Sequence, residues 1–130
     1  MGRGNPRRSN GSSRRNVTRW LRSQGRPCWI CRLPIDYGVP AGNPVAFECD
    51  ELTPVSRGGS PYDHDNVDAA HRCCNNWRSN RSVREVEIIR ALVIKRFGSW
   101  TSPLDFVSKA RSIRCSAPAP SARPRPTTDW

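Results

Sequence analysis

The clearest periodic pattern of apolar and polar residues lies between Ser82 and Phe97. Apolar side chains recur there at the spacing of one helical face, at Val83, Val86, Ile89, Leu92 (or Val93) and Phe97. Ser82, followed three positions later by Glu85, predicts a capping box at the start of this helix, and Gly98 predicts its end. We expect the helix to pack against the core.

A second pattern predicts a strand over residues 45–55. It begins with the alternation that is typical of a half-buried strand, at Val45, Phe47 and Cys49. Pro54 is expected to end the strand, because proline cannot donate to a sheet. The polar, turn-rich segment that follows, residues 54–70 with Gly58 and Gly59, predicts an extended surface loop.

Two shorter helices are expected near the ends of the folded part. Residues 17–24 predict the first, with Asn16 as its N-cap and Gly25 just past its end. A last helical turn or two is expected after Ser102 and Pro103, with two inward-facing side chains, Phe106 and Val107.

Composition divides the chain into three parts. Residues 1–15 are Gly, Ser, Asn and Arg with almost nothing apolar, which predicts a disordered basic arm. Residues 111–130 form a Pro-rich flexible tail, which leaves residues 16–110 as one small α+β domain. Only 35% of the chain is apolar, so this domain is expected to need a disulfide or a metal ion as a staple.

The charge of the chain indicates a polyanionic partner. The net charge is +11, and all basic residues except Lys95 and Lys109 are arginine, whose planar fork suits phosphate oxygens. Nucleic acid fits this charge better than a membrane surface does, because no amphipathic anchor accompanies the basic tail. No apolar segment approaches the length of a membrane span. The N-terminus has no hydrophobic stretch typical of a signal peptide, so we expect a cytoplasmic protein with reduced cysteines.

Two pairs of residues have the spacing of zinc ligands. Cys28 and Cys31 are separated by two residues, and His71 and Cys74 repeat that gap about forty positions later. Together they predict a structural Cys₃His zinc site, with Cys73 as a competing ligand. A disulfide between the pairs is the alternative, and His71 has the alternative of being an ordinary core histidine.

The remaining cysteines have no such partner. Cys49 is expected to be a buried thiol, and Cys115 to be free in the tail.

Four blocks follow one another over about residues 20–81. They are Cys28-x-x-Cys31, the run Phe47-Glu48-Cys49-Asp50-Glu51-Leu52-Thr53-Pro54-Val55-Ser56-Arg57-Gly58-Gly59, Asn66-Val67, and His71-x-x-Cys74-Asn75. Taken in order, these blocks resemble the zinc-containing HNH endonucleases, and in particular the small HNH proteins of bacteriophages. The resemblance implies a ββα-metal fold, in which a strand, a long loop, a second strand and a helix surround one divalent ion.

The family pattern also implies roles for individual residues. Asp50 would bind a catalytic divalent ion (Mg²⁺, Mn²⁺, Ni²⁺ or Zn²⁺), Asn75 would be its second ligand, and Asn66 would hold the loop. Glu51 stands where the family has the histidine that takes a proton from the attacking water. A carboxylate is a weaker base than imidazole at neutral pH. The base is therefore Glu51 or His64, or the cation alone generates hydroxide, with Glu51 then acting as a second anionic ligand.

The expected function is metal-dependent hydrolysis of DNA phosphodiester bonds, with low sequence specificity. Four arginines are expected to contact DNA phosphates: Arg57, Arg72, Arg78 and Arg81. The resemblance links such proteins to phage genome packaging, with partners such as terminase, or to mobile-element cutting, in the host cytoplasm if phage-encoded. The oligomeric state stays open.

Two other classes of protein compete with this hypothesis. A non-catalytic, zinc-stabilised nucleic-acid-binding protein needs the Cys₃His site and the arginines, but it has no use for Asp50, Glu51 and Asn75. The missing histidine favours that class. A protein-interaction adaptor would use only the Pro-rich C-terminus.

Overall fold

The computed structural model describes residues 6–113, and side chains from residue 13 onward. Within this range the chain is a small α+β domain with four α-helices and one two-stranded sheet. The elements, in chain order, are α1 (Pro6–Ser23), β1 (Phe47–Glu51), β2 (Val67–His71), α2 (Arg72–Arg78), α3 (Val83–Phe97) and α4 (Pro103–Ser112). None of the helices in residues 6–113 combines the length and the apolar composition that crossing a membrane requires.

The sheet places neighbouring residues of β1 on opposite sides. β1 and β2 are antiparallel, and Phe47 pairs with His71 at one end while Glu51 pairs with Val67 at the other. Because side chains alternate along a strand, Cys49 and Glu51 share the face of Phe47, and Glu48 and Asp50 share the other. The apolar side of α1 covers the first face, in a cluster of buried residues: Val17, Leu21, Phe47, Val67 and Ala69.

The larger core lies between the helices on the other side of the molecule. It joins the segment around residues 28–31 to α2, α3 and α4 through buried side chains that include Ile30, Trp77, Val86, Val93 and Phe106. Here the predicted helices are confirmed. Ser82 and Glu85 form the capping box, and Gly98 ends α3. Val93 is buried and Leu92 is exposed, so Val93 is the inward residue.

The predicted helix at α4 is also confirmed. It begins at Pro103 with Ser102 as its N-cap, and Phe106 and Val107 are buried. Its last residue, Ser112, lies beyond the predicted start of the flexible tail at residue 111. Residues 1–5 and 114–130, with Cys115, lie outside the described residues.

The predicted first helix is wrong in its start. α1 begins at Pro6, so residues 6–15 have helical backbone instead of belonging to a disordered arm, and Asn16 lies inside the helix rather than capping it. The polar composition of this stretch concealed the helix. Once Val17 and Leu21 anchor the later turns against the sheet, each further turn costs little, because helix propagation is far easier than nucleation.

The boundaries of the strand and loop also differ from the prediction. β1 covers residues 47–51 rather than 45–55, and the predicted loop over residues 54–70 contains two short 3-10 turns and the start of β2. β2 has the sequence Val-Asp-Ala-Ala-His, which has little intrinsic strand preference. Pairing with β1 makes it a strand, and that pairing is a long-range contact invisible in the local pattern.

Ser82→Ala tests the capping box of α3. The Ser82 Oγ accepts a hydrogen bond from the backbone N–H of Glu85, so its loss leaves a helix-end donor without its partner. We expect the free energy of unfolding to fall by about 1 kcal/mol, measured by urea denaturation. Ser99→Ala, at an exposed serine after the helix, is the control and should change it little. Equal effects of the two substitutions would contradict the assignment.

Candidate functional site

Four buried side chains form a candidate metal site. Ligand atoms of Cys28, Cys31, His71 and Cys74 all lie within 4.8 Å of one another. Two of them come from the turn before β1, one from the end of β2 and one from α2, so the site joins three segments. Cys73, the competing ligand in the sequence, is not a member. The five described cysteines are free thiols, which is contrary to the disulfide alternative.

The backbone around the cluster is arranged as in a metal-binding turn. The backbone N–H groups of Cys31 and His71 donate to the Cys28 Sγ, at 3.4 and 3.5 Å. Arg32 adopts a left-handed conformation with φ 69°, which lets the chain reverse directly after Cys31. His71 has its Nδ1 3.4 Å from the Cys31 Sγ and its Nε2 3.0 Å from the carbonyl oxygen of Pro34. With Nε2–H donating to that oxygen, Nδ1 is left to bind a metal ion.

The pKa values of the thiols indicate why a cation fits here. The hydrogen bond with Cys28 raises the pKa of Cys31 to about 12, and hydrogen bonding with Cys28 is also the largest cause of the raised pKa of Cys74. Crowded thiols thus resist ionising together when nothing positive lies between them. A divalent cation removes that repulsion, so this sulfur-rich set of three thiols and one imidazole fits a metal ion.

A polar cleft lies at the end of β1. It has a volume of about 320 Å³ and is lined by ten residues: Cys49, Asp50, Glu51, Pro54, Ser56, Arg57, Arg78, Ser79, Asn80 and Arg81. Two of the four acidic or amide residues that the sequence assigns to catalysis, Asp50 and Glu51, therefore share one cleft with three of the four predicted DNA-binding arginines. Asn66 and Asn75 are not among its lining residues.

Asp50 is buried and paired with Arg78. Its Oδ2 accepts hydrogen bonds from the Arg78 guanidinium at 2.7 Å and from the indole Nε1 of Trp29 at 2.9 Å. Burial raises the pKa of Asp50, and the charge of Arg78 opposes that effect. Among the described residues, the other carboxylate oxygen, Oδ1, accepts no hydrogen bond.

The prediction that Arg78 reaches a flanking phosphate is wrong. Only 4% of Arg78 is exposed. Besides Asp50, its guanidinium binds three backbone carbonyl oxygens, those of Glu51, Leu52 and Arg81. Helical spacing placed Arg78 one turn beyond Asn75, but it could not show that β1 covers that face of α2.

Asn75 meets β1 at a different point from Arg78. Its Nδ2 donates to Glu48 Oε1 at 2.9 Å, while the Glu48 Oε2 pairs with Arg72 at 3.0 Å. α2 therefore contacts β1 at two successive positions of the same strand face, Glu48 and Asp50. Asn75 contacts Glu48, and Arg78 contacts Asp50. Arg72 is half-buried and already has a partner.

Asn66 ties the ends of the long loop together. Its Oδ1 accepts from the backbone N–H of Thr53 at 2.9 Å, and its Nδ2 donates to the carbonyl oxygens of Thr53 and Ser60. Gly59 is required beside it, because a Cβ there would lie 1.7 Å from the Thr53 carbonyl oxygen. These contacts have the geometry of the loop-holding role that the resemblance implies.

The two candidate bases lie in different surroundings. Glu51, at the end of β1, is partly exposed and has the Arg14 guanidinium of α1 3.6 Å from its carboxylate. His64 stacks on Trp20 of α1, with ring centroids 3.7 Å apart. Within residues 13–113, His64 is not among the side chains that line the cleft.

Two residues of the site escaped the sequence analysis. Trp29 lies between the first two cysteines, where no motif assigns it a role, and Glu48 precedes Asp50 by two residues. Strand alternation would have placed Glu48 beside Asp50, on the face toward α2. No local signal shows that the Trp29 indole reaches Asp50, 21 positions away.

Cys74→Ser and Cys73→Ser form a matched pair that tests the metal cluster. Cys74 is inside the cluster and Cys73, next to it, is outside. We expect wild type and Cys73→Ser to hold one metal ion per chain and Cys74→Ser to lose it, as measured by elemental analysis of the purified protein. Removing the ion with a chelator should unfold the domain, followed by circular dichroism. Metal loss in Cys73→Ser alone would overturn the ligand assignment.

Arg78→Met tests the buried ion pair. It leaves the Asp50 carboxylate buried without its cation, so we expect the free energy of unfolding to fall by about 3–5 kcal/mol. Arg57→Met, at an exposed arginine of the same cleft, is the control and should change it by less than about 0.5 kcal/mol. Denaturant titration measures both. A second substitution, Asp50→Asn, should recover part of the loss in Arg78→Met; no recovery would contradict the pairing.

Comparisons with known proteins add one neighbour. No model of a known protein family matches the chain, and no curated protein matches it. A solved structure, a crystal structure of a type II restriction endonuclease, is similar to it with 32% sequence identity and a TM-score of 0.40. The alignment covers 55% of this chain and 34% of the other, so it spans about a third of that protein. A TM-score this low does not establish a common fold.

Proposed function

We propose that this chain is a metal-dependent endonuclease of the HNH type that hydrolyses DNA phosphodiester bonds with low sequence specificity. The observation that carries the proposal is the cleft at the end of β1, where Asp50 and Glu51 lie among arginines. Acidic groups that hold a cation, next to basic groups that hold phosphate, are what phosphodiester hydrolysis requires. The order strand, Asn66-tied loop, strand and helix supports the same family.

The structural metal in this proposal is zinc, held by Cys28, Cys31, His71 and Cys74. Three thiolates and one imidazole within 4.8 Å match the tetrahedral sulfur and nitrogen sites that zinc prefers. Its role is to hold the turn before β1 against α2, so that the cleft keeps its shape.

The residues that would hold a catalytic divalent ion are Asp50 and Asn75. Each keeps a side-chain oxygen, Oδ1, that accepts no hydrogen bond from the described residues. Oxygen donors of this kind suit a hard cation such as Mg²⁺ or Mn²⁺. When bound, the cation would supply Lewis-acid help to the phosphoryl group. Glu48 orients Asn75, because it accepts the hydrogen bond from the Asn75 amide nitrogen.

Glu51 is the proposed general base. It lies on the opposite strand face from Asp50, so strand alternation disfavours Glu51 as a second ligand of the same ion and leaves its carboxylate available to accept a proton from water. Arg14 is near enough to hold that carboxylate in place. The stacking on Trp20 holds His64 against α1, which disfavours the alternative that His64 moves in as the base.

DNA would be held by two arginines of the cleft rim. Arg57 is exposed and lines the cleft together with the half-buried Arg81, whose guanidinium lies 4.7 Å from the centroid of the Trp77 ring. Contacts between arginine and phosphate bind the DNA backbone and carry no base information, which is why low sequence specificity is proposed. A role beside packaging proteins such as terminase, and the cytoplasmic location, remain predictions.

One observation favours a second candidate, a non-catalytic zinc-stabilised nucleic-acid-binding protein. Arg78 already neutralises Asp50, so the carboxylate has a structural use without any catalytic ion. In that case the cleft would bind a phosphate without cleaving it.

Glu51→Gln separates the two candidates. If the chain is a nuclease with Glu51 as base, the substitution should lower the cleavage rate by about 10²- to 10⁴-fold. DNA affinity should stay close to that of wild type. The assay is nicking of supercoiled plasmid with Mg²⁺, Mn²⁺, Ni²⁺ or Zn²⁺, and fluorescence anisotropy measures DNA binding. Glu87→Gln, at an exposed acid of α3, is the matched control.

The outcomes of this experiment are distinct. Wild type that leaves the plasmid intact with every metal but binds DNA would establish the binding protein instead. Cleavage by Glu51→Gln at the wild-type rate would remove Glu51 as the base while leaving the nuclease in place.

A further inference from the structure

Trp29 connects the turn of residues 28–31, here called the metal-binding turn, to the cleft at the end of β1. It stands between the ligands Cys28 and Cys31, and its backbone N–H donates to the carbonyl oxygen of Ala69 in β2 at 2.9 Å. Its own carbonyl oxygen accepts from the Arg90 guanidinium at 3.2 Å. The backbone of Trp29 is thus held by two hydrogen bonds, one at its N–H and one at its carbonyl oxygen, which fix the direction in which its ring leaves the chain.

The indole ring uses that fixed position to hold Asp50. Its Nε1–H donates to Asp50 Oδ2 at 2.9 Å, and the Arg78 guanidinium lies over its face, 5.1 Å from the ring centroid. Tryptophan can make both contacts at once, because it combines an electron-rich face with a ring N–H that only donates. Phenylalanine could make the contact with Arg78 but not the hydrogen bond with Asp50.

Two donors on one oxygen restrict the carboxylate strongly. Arg78 at 2.7 Å and Trp29 at 2.9 Å both bind Oδ2, so the rotation of the Asp50 carboxylate is fixed and Oδ1 has one direction to face. Arg78 is one fixed donor, because three backbone carbonyl oxygens hold its guanidinium in place. The indole has a single N–H on a rigid ring, so it is the second fixed donor, and the two together define the orientation of the carboxylate.

We propose that Trp29 is a positioning residue, through which the metal-binding turn sets the orientation of the Asp50 carboxylate for the catalytic ion. The inference rests on the proposed function, because it gives Asp50 that role. It adds a dependence of the cleft on the structural metal, since Trp29 is bracketed by two of the four ligands. Loss of the metal frees the turn, and with it the donor to Asp50.

Trp29→Phe tests the inference, with Trp100→Phe as its matched control. Both remove an indole hydrogen bond of 2.9 Å, but that of Trp100 goes to the carbonyl oxygen of Cys31 and not to Asp50. Both variants should retain one structural metal per chain. Only Trp29→Phe should weaken binding of Mn²⁺, measured by titration calorimetry, by roughly 10- to 100-fold. It should lower kcat similarly and leave KM for DNA unchanged.

A nuclear magnetic resonance measurement tests the contact without any catalysis. In the protein holding its structural metal, the indole N–H resonance of Trp29, identified by its loss in Trp29→Phe, should shift in Asp50→Asn. The resonance of Trp100 should not. No shift of the Trp29 resonance would overturn the proposal directly.

The activity outcomes separate this inference from the proposed function. If wild type cleaves DNA and Trp29→Phe keeps the wild-type kcat and Mn²⁺ affinity, the inference is wrong and the nuclease stands. If both tryptophan variants lose Mn²⁺ affinity equally, Trp29 has only a structural role and the inference is wrong. If wild type neither cleaves DNA nor binds Mn²⁺, both proposals fail together.

Discussion

Four side chains with metal-binding chemistry join three separate segments of the chain within the larger core. Cys28 and Cys31 come from the turn before the sheet, His71 from the end of β2 and Cys74 from α2. The strands contribute only four apolar residues to the core, and two of them, Ala69 and Ala70, bury little surface. A bound metal ion would supply such a thin core with much of its folding free energy. The cluster lies where the turn before β1, the end of β2 and α2 meet.

The cleft shows how a strongly basic chain keeps a buried acid. Asp50 lies inside the protein, where desolvation disfavours its charge, and Arg78 lies beside it as an equally buried counter-charge. Such a pair contributes little net stability, because the desolvation of both ions offsets their attraction. It contributes orientation instead. Together with the Trp29 indole, it holds one carboxylate oxygen and directs the other away.

The fold and the candidate site differ in how far they could be predicted. α3 and α4 follow from local signals, since the capping residues Ser82 and Ser102 and the apolar spacing lie within one or two helical turns. The four members of the candidate metal cluster also follow from spacing. β2 does not follow from local signals, because its alanines have no strand preference. The prediction placed the start of α1 too late, because the first turns of that helix have no apolar residues. In both cases contacts with distant segments decide the structure.

The sequence by itself determined the α+β class, the four members of the candidate metal cluster, the helices after residue 82 and the meeting of acidic and basic groups near β1. These depend on residue types and short spacings, which are visible in the sequence without any knowledge of the tertiary contacts. Only the tertiary structure decided the partners of those groups. It buried Arg78 against Asp50, gave Asn75 to Glu48 and brought the Trp29 indole to the carboxylate. Each of these contacts spans more than 20 residues, and no local pattern records which faces meet across such a distance.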